Sequence, residues 1–200
     1  GRLDKETSGI LLFARNQVAA ARLQKQREEG KLQKKYLALA EGDLSEANDS
    51  VFWKEIAIPL APDPENSMKM TISPDGLLPG SRNAVTYYKN IKNFGNVTLV
   101  ELQLETGRTH QIRVHMAGIG HPLLGDTMYN PRACLKMSNR KEKKNTEGRI
   151  NNRNDCFKRA ALHAWKLTFC HPFTDEIITL EAPLPDDFCR FLNANEEEKT

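Results

Sequence analysis

Apolar residues enter the chain as one continuous run, Ile10 to Ala14, directly after the turn formers Thr7, Ser8 and Gly9. A short apolar run bounded by turn residues predicts a buried strand over Gly9 to Ala14. Asn16 is placed to cap a helix of about Gln17 to Glu29, which Gly30 would close. The pattern then drops to a period of two from Lys34 to Ala40. Tyr36, Ala38 and Ala40 fall on one face of that strand and Leu37 and Leu39 on the other. A further strand is expected over Val51 to Leu60. The stretch Ala61 to Gly80, rich in Pro, Gly and Asp, reads as loop with at most a short hairpin. Ala84 to Asn90 and Asn96 to Leu104 read as strands split by a turn at Asn93-Phe94-Gly95. Thr109 is expected to cap a short helix through Ala117, stopped by Gly118 and Gly120. Leu162 to Phe169 and Glu176 to Ala182 predict a last hairpin. Asp186 should cap a final helix through Leu192, with an acidic tail at 193–200 that frays.

Many strands and few helices, without regular β-α alternation, predict an α+β domain built on a mixed, mainly antiparallel sheet. With 200 residues, 39% of them apolar, the chain can bury one core, so residues 1–192 are expected to form a single domain. No apolar stretch is long enough to span a membrane. The four cysteines show neither Cys-x-x-Cys spacing nor a dense framework, so reduced thiols in a cytoplasmic protein are expected. The five histidines are scattered, and no set has metal-ligand spacing. The net charge of +3 is uneven. Between Lys136 and Arg159 nine Lys/Arg face three Asp/Glu, leaving the remainder about three units negative. Residues 136–159 therefore read as a basic, flexible insert, with contact to a polyanion as a second role.

Two segments are dense in chemistry. Arg2-Leu3-Asp4-Lys5-Glu6-Thr7-Ser8-Gly9 puts an acid beside an arginine ahead of the apolar run. Glu105-Thr-Gly-Arg-Thr-His-Gln-Ile-Arg-Val-His is followed by Gly120-His-Pro-Leu-Leu-Gly-Asp126. Together with Lys35-Tyr36-Leu37-Ala38-Leu39 and the ending from Leu162 to Pro185, these segments resemble the RluA-type RNA pseudouridine synthases. The likeness runs from residue 1 to about Phe188. The family's opening motif reads His-Arg-Leu-Asp-x-x-Thr-Ser-Gly, and Gly1 stands here in place of the histidine. Strands that precede the motif in the family are missing, so the chain is expected to be a catalytic domain cut at its N-terminus.

The resemblance implies a fold, a reaction and a set of roles. The fold is a central sheet with helices and loops around a cleft that binds RNA. Asp4 would be the catalytic carboxylate, acting on C1′, on the base or at C2′. Arg113 would pair with it, and Tyr36 would stack on the target base. Arg2 would enter the RNA stack beside the flipped nucleotide. Read from the residues themselves, Lys35 and Arg108 are candidate phosphate contacts and His110 a candidate RNA contact. Read from the residues alone, Asp4 equally suits a turn cap, and Tyr36 a core position. His110 and His115 suit hydrogen-bonded structural roles. Asp126 reads as a turn residue with a second claim as a carboxylate.

The expected activity is isomerisation of uridines in structured ribosomal or transfer RNA, with no cofactor, no metal, no membrane and no obligatory protein partner. A non-catalytic RNA-binding protein on the same scaffold is the second reading. A hydrolase working through Asp4 and an opposed acid, Asp126 or Glu105, is the third.

Overall fold

The structure, a computed structural model, describes residues 2–44, 52–133 and 157–196. In chain order the elements are β1 (Ser8–Gly9), α1 (Gln17–Glu28), β2 (Gln33–Glu41), β3 (Lys54–Ala57), β4 (Leu60–Pro62), β5 (Met70–Ile72), β6 (Val85–Asn93), β7 (Val97–Leu104), α2 (Gln111–Gly118), β8 (Leu162–Cys170), β9 (Ile177–Glu181) and α3 (Asp186–Glu196). Seven strands form one sheet in the order β1-β8-β2-β7-β6-β3, with β9 also paired to β8. Only β1 runs parallel to its neighbour; the rest of this sheet is antiparallel. β4 and β5 form a separate hairpin. The fold is therefore α+β with a mixed, mainly antiparallel sheet.

The alternation in β2 divides the core. Tyr36, Ala38 and Ala40 join Val100 and Leu102 on one face, under Ile112 and Met116 of α2. Leu39, Val97 and Leu99 face the other way, against Phe157 and against Phe188 and Phe191 of α3. Both α3 phenylalanines are fully buried, which stabilises the fold by about 2–3 kcal/mol each. Phe157 meets Phe188 edge to face, with ring centroids 5.4 Å apart.

Helix α1 buries little, since Ala19 is its only buried side chain. Asn16 caps it through a 2.8 Å bond from the Ala19 N–H. A backbone-like pair docks its last turn: the Gln26 amide donates to the Cys170 carbonyl at 2.8 Å and accepts from the Cys170 N–H at 2.9 Å.

Several expected boundaries move, each for a physical reason. The first strand is Ser8–Gly9 rather than 9–14. β9 takes the outer edge of β8 from Lys166 onward, so residues 10–14 meet no ladder and Phe13 stays 74% exposed. The strand expected to end at Leu60 breaks around Pro59, which has no N–H to offer a sheet; Val51 lies outside the described residues. The last helix runs on to Glu196 rather than stopping near Leu192; residues 197–200 lie outside the description. Most of the expected basic insert also lies outside it; of its final residues Phe157 joins the core, Lys158 is exposed and Arg159 is half-buried.

Arg159 is one of these, and it ties three segments together. Its Nη1 donates to the carbonyls of Glu6, Ala160 and Leu162 at 3.0–3.1 Å. Its Nε sits 2.8 Å from Asp187 Oδ2. Arg159→Met keeps the stem and removes every one of these bonds, so the expected loss is about 3 kcal/mol of stability. Urea unfolding of the variant beside the parent protein measures it, with an unchanged midpoint as the contrary result.

Candidate active site

The turn that carries Asp4 is anchored on its C-terminal side. The Thr7 N–H donates to the Asp4 carbonyl at 3.0 Å and closes the turn. Ser8 Oγ and His163 Nδ1 are hydrogen-bonded at 2.9 Å, and the Ile10 N–H donates to the Ala164 carbonyl at 2.9 Å. Gly9 lies between them with φ +108, and an added Cβ would stand 2.1 Å from the Ala164 oxygen. The Asp4 side chain keeps 24% exposure and faces inward from the end of this tether.

The second dense segment is built around one amide. Gln111 is buried and uses both ends of its side chain. Its oxygen accepts from Thr106 Oγ1 at 2.8 Å and from the Arg108 N–H at 2.9 Å. Its nitrogen donates to the Val85 carbonyl and Thr86 Oγ1 at 2.9 and 3.0 Å. This corrects the expected Thr109 cap. The residue preceding α2 is His110, in the left-handed region at φ 56 with no side-chain cap bond, and Gln111 secures the loop instead.

Arg113 points from α2 toward Asp4. Its Nε and Nη2 donate to both oxygens of Asp126, at 2.7 and 2.8 Å. Its Nη1 lies 3.6 Å from Asp4 Oδ2, an ion pair rather than a hydrogen bond. Tyr129 lies against the guanidinium, with Cζ 5.0 Å from the ring centroid. The Tyr129 hydroxyl accepts from the Met70 N–H at 2.9 Å and is hydrogen-bonded to His110 Nδ1 at 2.8 Å. Burial opposes the charge of Arg113, but the hydrogen bonds to Asp126 and the charges of Asp126 and Asp4 together hold the guanidinium pKa above its ordinary value. For His110 burial dominates and pushes the imidazole pKa down.

Tyr36 is 5% exposed at the inner wall of the same cleft. Burial, reinforced by the charge of Asp4, pushes its phenol up to about 12, so it stays protonated at neutral pH. The cleft measures about 710 Å³ and runs between the N-terminal segment, α1 and the 103–112 loop. Arg2, Asp4, Tyr36, Arg108 and His110 all line it.

Lys35 does not. Its ammonium is 3.3 Å from the buried Glu101 and lies over the Trp53 ring, while Lys34 lines the cleft in its place. Burial lowers the Lys34 pKa. His115 and His163 are buried and hydrogen-bonded, His115 to Thr86 Oγ1 and the Ile58 carbonyl at 2.8 Å each. Among the described residues no group of three or more His, Cys, Asp or Glu gathers as a metal site requires, no helix is long and apolar enough to cross a membrane, and Cys170 and Cys189 are free thiols.

A profile for RNA pseudouridylate synthase matches residues 1–118. The chain is 38% identical over 191 residues to the uncharacterized RNA pseudouridine synthase YlyB of Bacillus subtilis, covering 96% of this chain and 53% of that protein. It is 39% identical over 193 residues to ribosomal large subunit pseudouridine synthase D of Haemophilus influenzae, covering 96% and 54%. Among solved structures, human RNA pseudouridylate synthase domain containing 4 superposes with a TM-score of 0.72 at 25% identity, over 98% of this chain and 74% of that one. The chain belongs to the RNA pseudouridylate synthase family, in agreement with its RluA-type motifs. It spans about half the length of the curated relatives it matches.

Proposed function

We propose that the protein converts uridine to pseudouridine in RNA, with Asp4 as the reacting carboxylate. One observation carries this reading: the first acid of the chain lines a cleft together with Tyr36, and Arg113 of a distant helix stands 3.6 Å from its carboxylate. The reaction breaks the N1–C1′ bond, turns the base, joins C5 to C1′, releases the C5 proton and leaves a proton on N1. It is redox-neutral, and a carboxylate can serve it as nucleophile or base. The target must leave its stack to reach Asp4, and Tyr36 offers the flipped base an aromatic partner. Arg2, Lys34, Arg108 and His110 line the approach and serve as its RNA contacts.

RNA of the large ribosomal subunit is the first substrate to test, because several relatives at 37–39% identity carry that name; transfer RNA is the second. Those bacterial relatives also make the cytoplasm the expected compartment. The hydrolase reading is left with Glu105, which lines the cleft with Asp4, and the family match to RNA pseudouridylate synthases stands against it. Asp126 is fully buried and held by Arg113, and Glu105 accepts from the Tyr87 hydroxyl at 2.7 Å.

The direct test incubates the protein with RNA made from 5-tritiated uridine. Turnover releases tritium into water, whereas RNA binding without release would favour a non-catalytic binder. The two lysines give a finer check. Lys34→Ala should weaken RNA binding about three- to tenfold and reduce its salt slope by about one, while Lys35→Ala should change affinity less than about twofold. Filter binding across a salt series separates them, and the reverse order of effects would count against this placement of the RNA.

A further inference from the structure

Resting on the reading that the cleft takes RNA, we propose that helix α1 is a wall of the substrate site and that its Arg27 is an RNA phosphate contact. The guanidinium is held across Gly107, where it meets the backbone of a strand entering between α1 and the 103–112 loop.

Helix α1 uses neighbouring faces for separate purposes. Ala19, Arg22 and Gln26, at helical spacing, dock it. Ala19 is buried, the Arg22 guanidinium donates to the Pro172 carbonyl and lies over the Phe173 ring, and Gln26 makes its amide pair with Cys170. Ala20, Leu23, Gln24, Arg27 and Glu28, at the same spacing, line the cleft instead. Leu23 is half-buried and the other four are exposed, so this stripe adds little to the core and is left to face a ligand.

Arg27 is the cation of the stripe, and it reaches the opposite wall. A Cβ added to Gly107 would stand 2.2 Å from its Nη2. Among the described residues no carboxylate or carbonyl holds this guanidinium. By contrast, Arg108 Nε is committed to the Asn83 carbonyl at 3.0 Å, and Glu28 accepts from the Gln24 amide at 2.9 Å. The Arg27 charge is felt inside the cleft. Burial first and then Arg27 lower the Lys34 pKa, and Arg27 opposes the upward push that burial and Asp4 give Tyr36. Cations set close together repel in the free protein, and an arriving phosphate relieves them. A guanidinium with its fork of donors unspent suits that anion.

Gly107 is what lets the arm lie there. Gln111 pins the loop on either side of it, through Thr106 Oγ1 at 2.8 Å and the Arg108 N–H at 2.9 Å. Gly107 is outside the left-handed region, so a methyl there would strain no backbone. It would displace only the flexible end of Arg27.

The experiment is filter binding of polyuridylate across a salt series, with a thermal melt of each variant. Arg27→Gln removes the charge, so affinity should fall about three- to tenfold and the salt slope by about one. Its melting temperature should stay within about a degree of the parent's. Gly107→Ala should weaken binding about two- to fivefold in the parent protein but less than about 1.5-fold in an Arg27→Gln background, because its effect passes through the arginine. An unchanged salt slope in Arg27→Gln, with or without a lower melting temperature, overturns the proposal and leaves Arg27 at most a brace between two walls. Equal effects of Gly107→Ala in both backgrounds overturn it too, as does a parent protein that fails to retain polyuridylate at low salt. A parent that shows the expected binding pattern yet releases no tritium from labelled RNA would keep the Arg27 contact and lose only the proposed reaction. Turnover in a parent whose Arg27→Gln variant keeps its slope would do the reverse.

Discussion

Asp4→Asn should bind RNA as tightly as the parent protein, within about twofold, and lose turnover by at least about 10³-fold. The substitution keeps size and shape. The turn bond from Thr7 runs to the backbone carbonyl of residue 4 and is untouched by the change. The side chain's ion-pair partner is Arg113, at 3.6 Å, and Arg113 remains held by Asp126. Thermal stability should therefore move by no more than a degree or two. What disappears is the one property the chemistry needs, a negative oxygen able to attack carbon or take a proton. Single-turnover tritium release, measured beside RNA filter binding and a thermal melt, separates chemistry from affinity and from folding. A variant retaining a tenth or more of the parent rate would remove Asp4 from the reaction.

The face pattern of β2 could be read from the sequence because each face of that strand meets its own apolar layer, which leaves a clean period of two. The same pattern held information that motif reading passed over. Residues two apart share a face, so Lys34, and not the adjacent Lys35, accompanies Tyr36 to the cleft. Asp126 was visible as a turn residue, and its Met128 and Tyr129 bonds fit that reading. Its grip on Arg113 is a tertiary contact that no local spacing announces. Tyr129 is silent in the sequence for a similar reason: it stands outside both dense segments, and a lone tyrosine in a loop gives no signal. Arg159 reads as part of a charge run, yet its guanidinium satisfies carbonyls from two segments and pairs with Asp187 of a third. Composition cannot distinguish a solvated arginine from a structural one. The run at residues 10–14 misled for the opposite reason, since apolar character implied a ladder partner that β9 had already displaced.

Gly9→Ala should cut turnover by about 10²-fold or more while costing about 2–3 kcal/mol of stability. The pressure on this position is twofold. Its φ of +108 lies where side-chain-bearing residues are strained, and the new methyl would sit 2.1 Å from the Ala164 oxygen and 2.8 Å from the Ala164 nitrogen. Those atoms belong to the backbone of β8, a strand held by β2 and β9 on either side, so they have little room to give way. The two-residue β1 must yield instead. That displaces the Ser8–His163 bond and the Ile10–Ala164 bond together, and with them the turn that aims Asp4. The loss of stability is small because so little buried surface is involved. The loss of rate is large because an error of about 1 Å at a reacting group costs about 10²-fold. Gly95→Ala is the matched control. Its φ is +80, but a Cβ there meets nothing within 4 Å, so it should cost about 1 kcal/mol and leave turnover unchanged. Equal rate losses in the two variants would mean that β1 does not position Asp4, whereas a selective loss at Gly9 would show that the Thr-Ser-Gly turn acts on the chemistry through the backbone of β8.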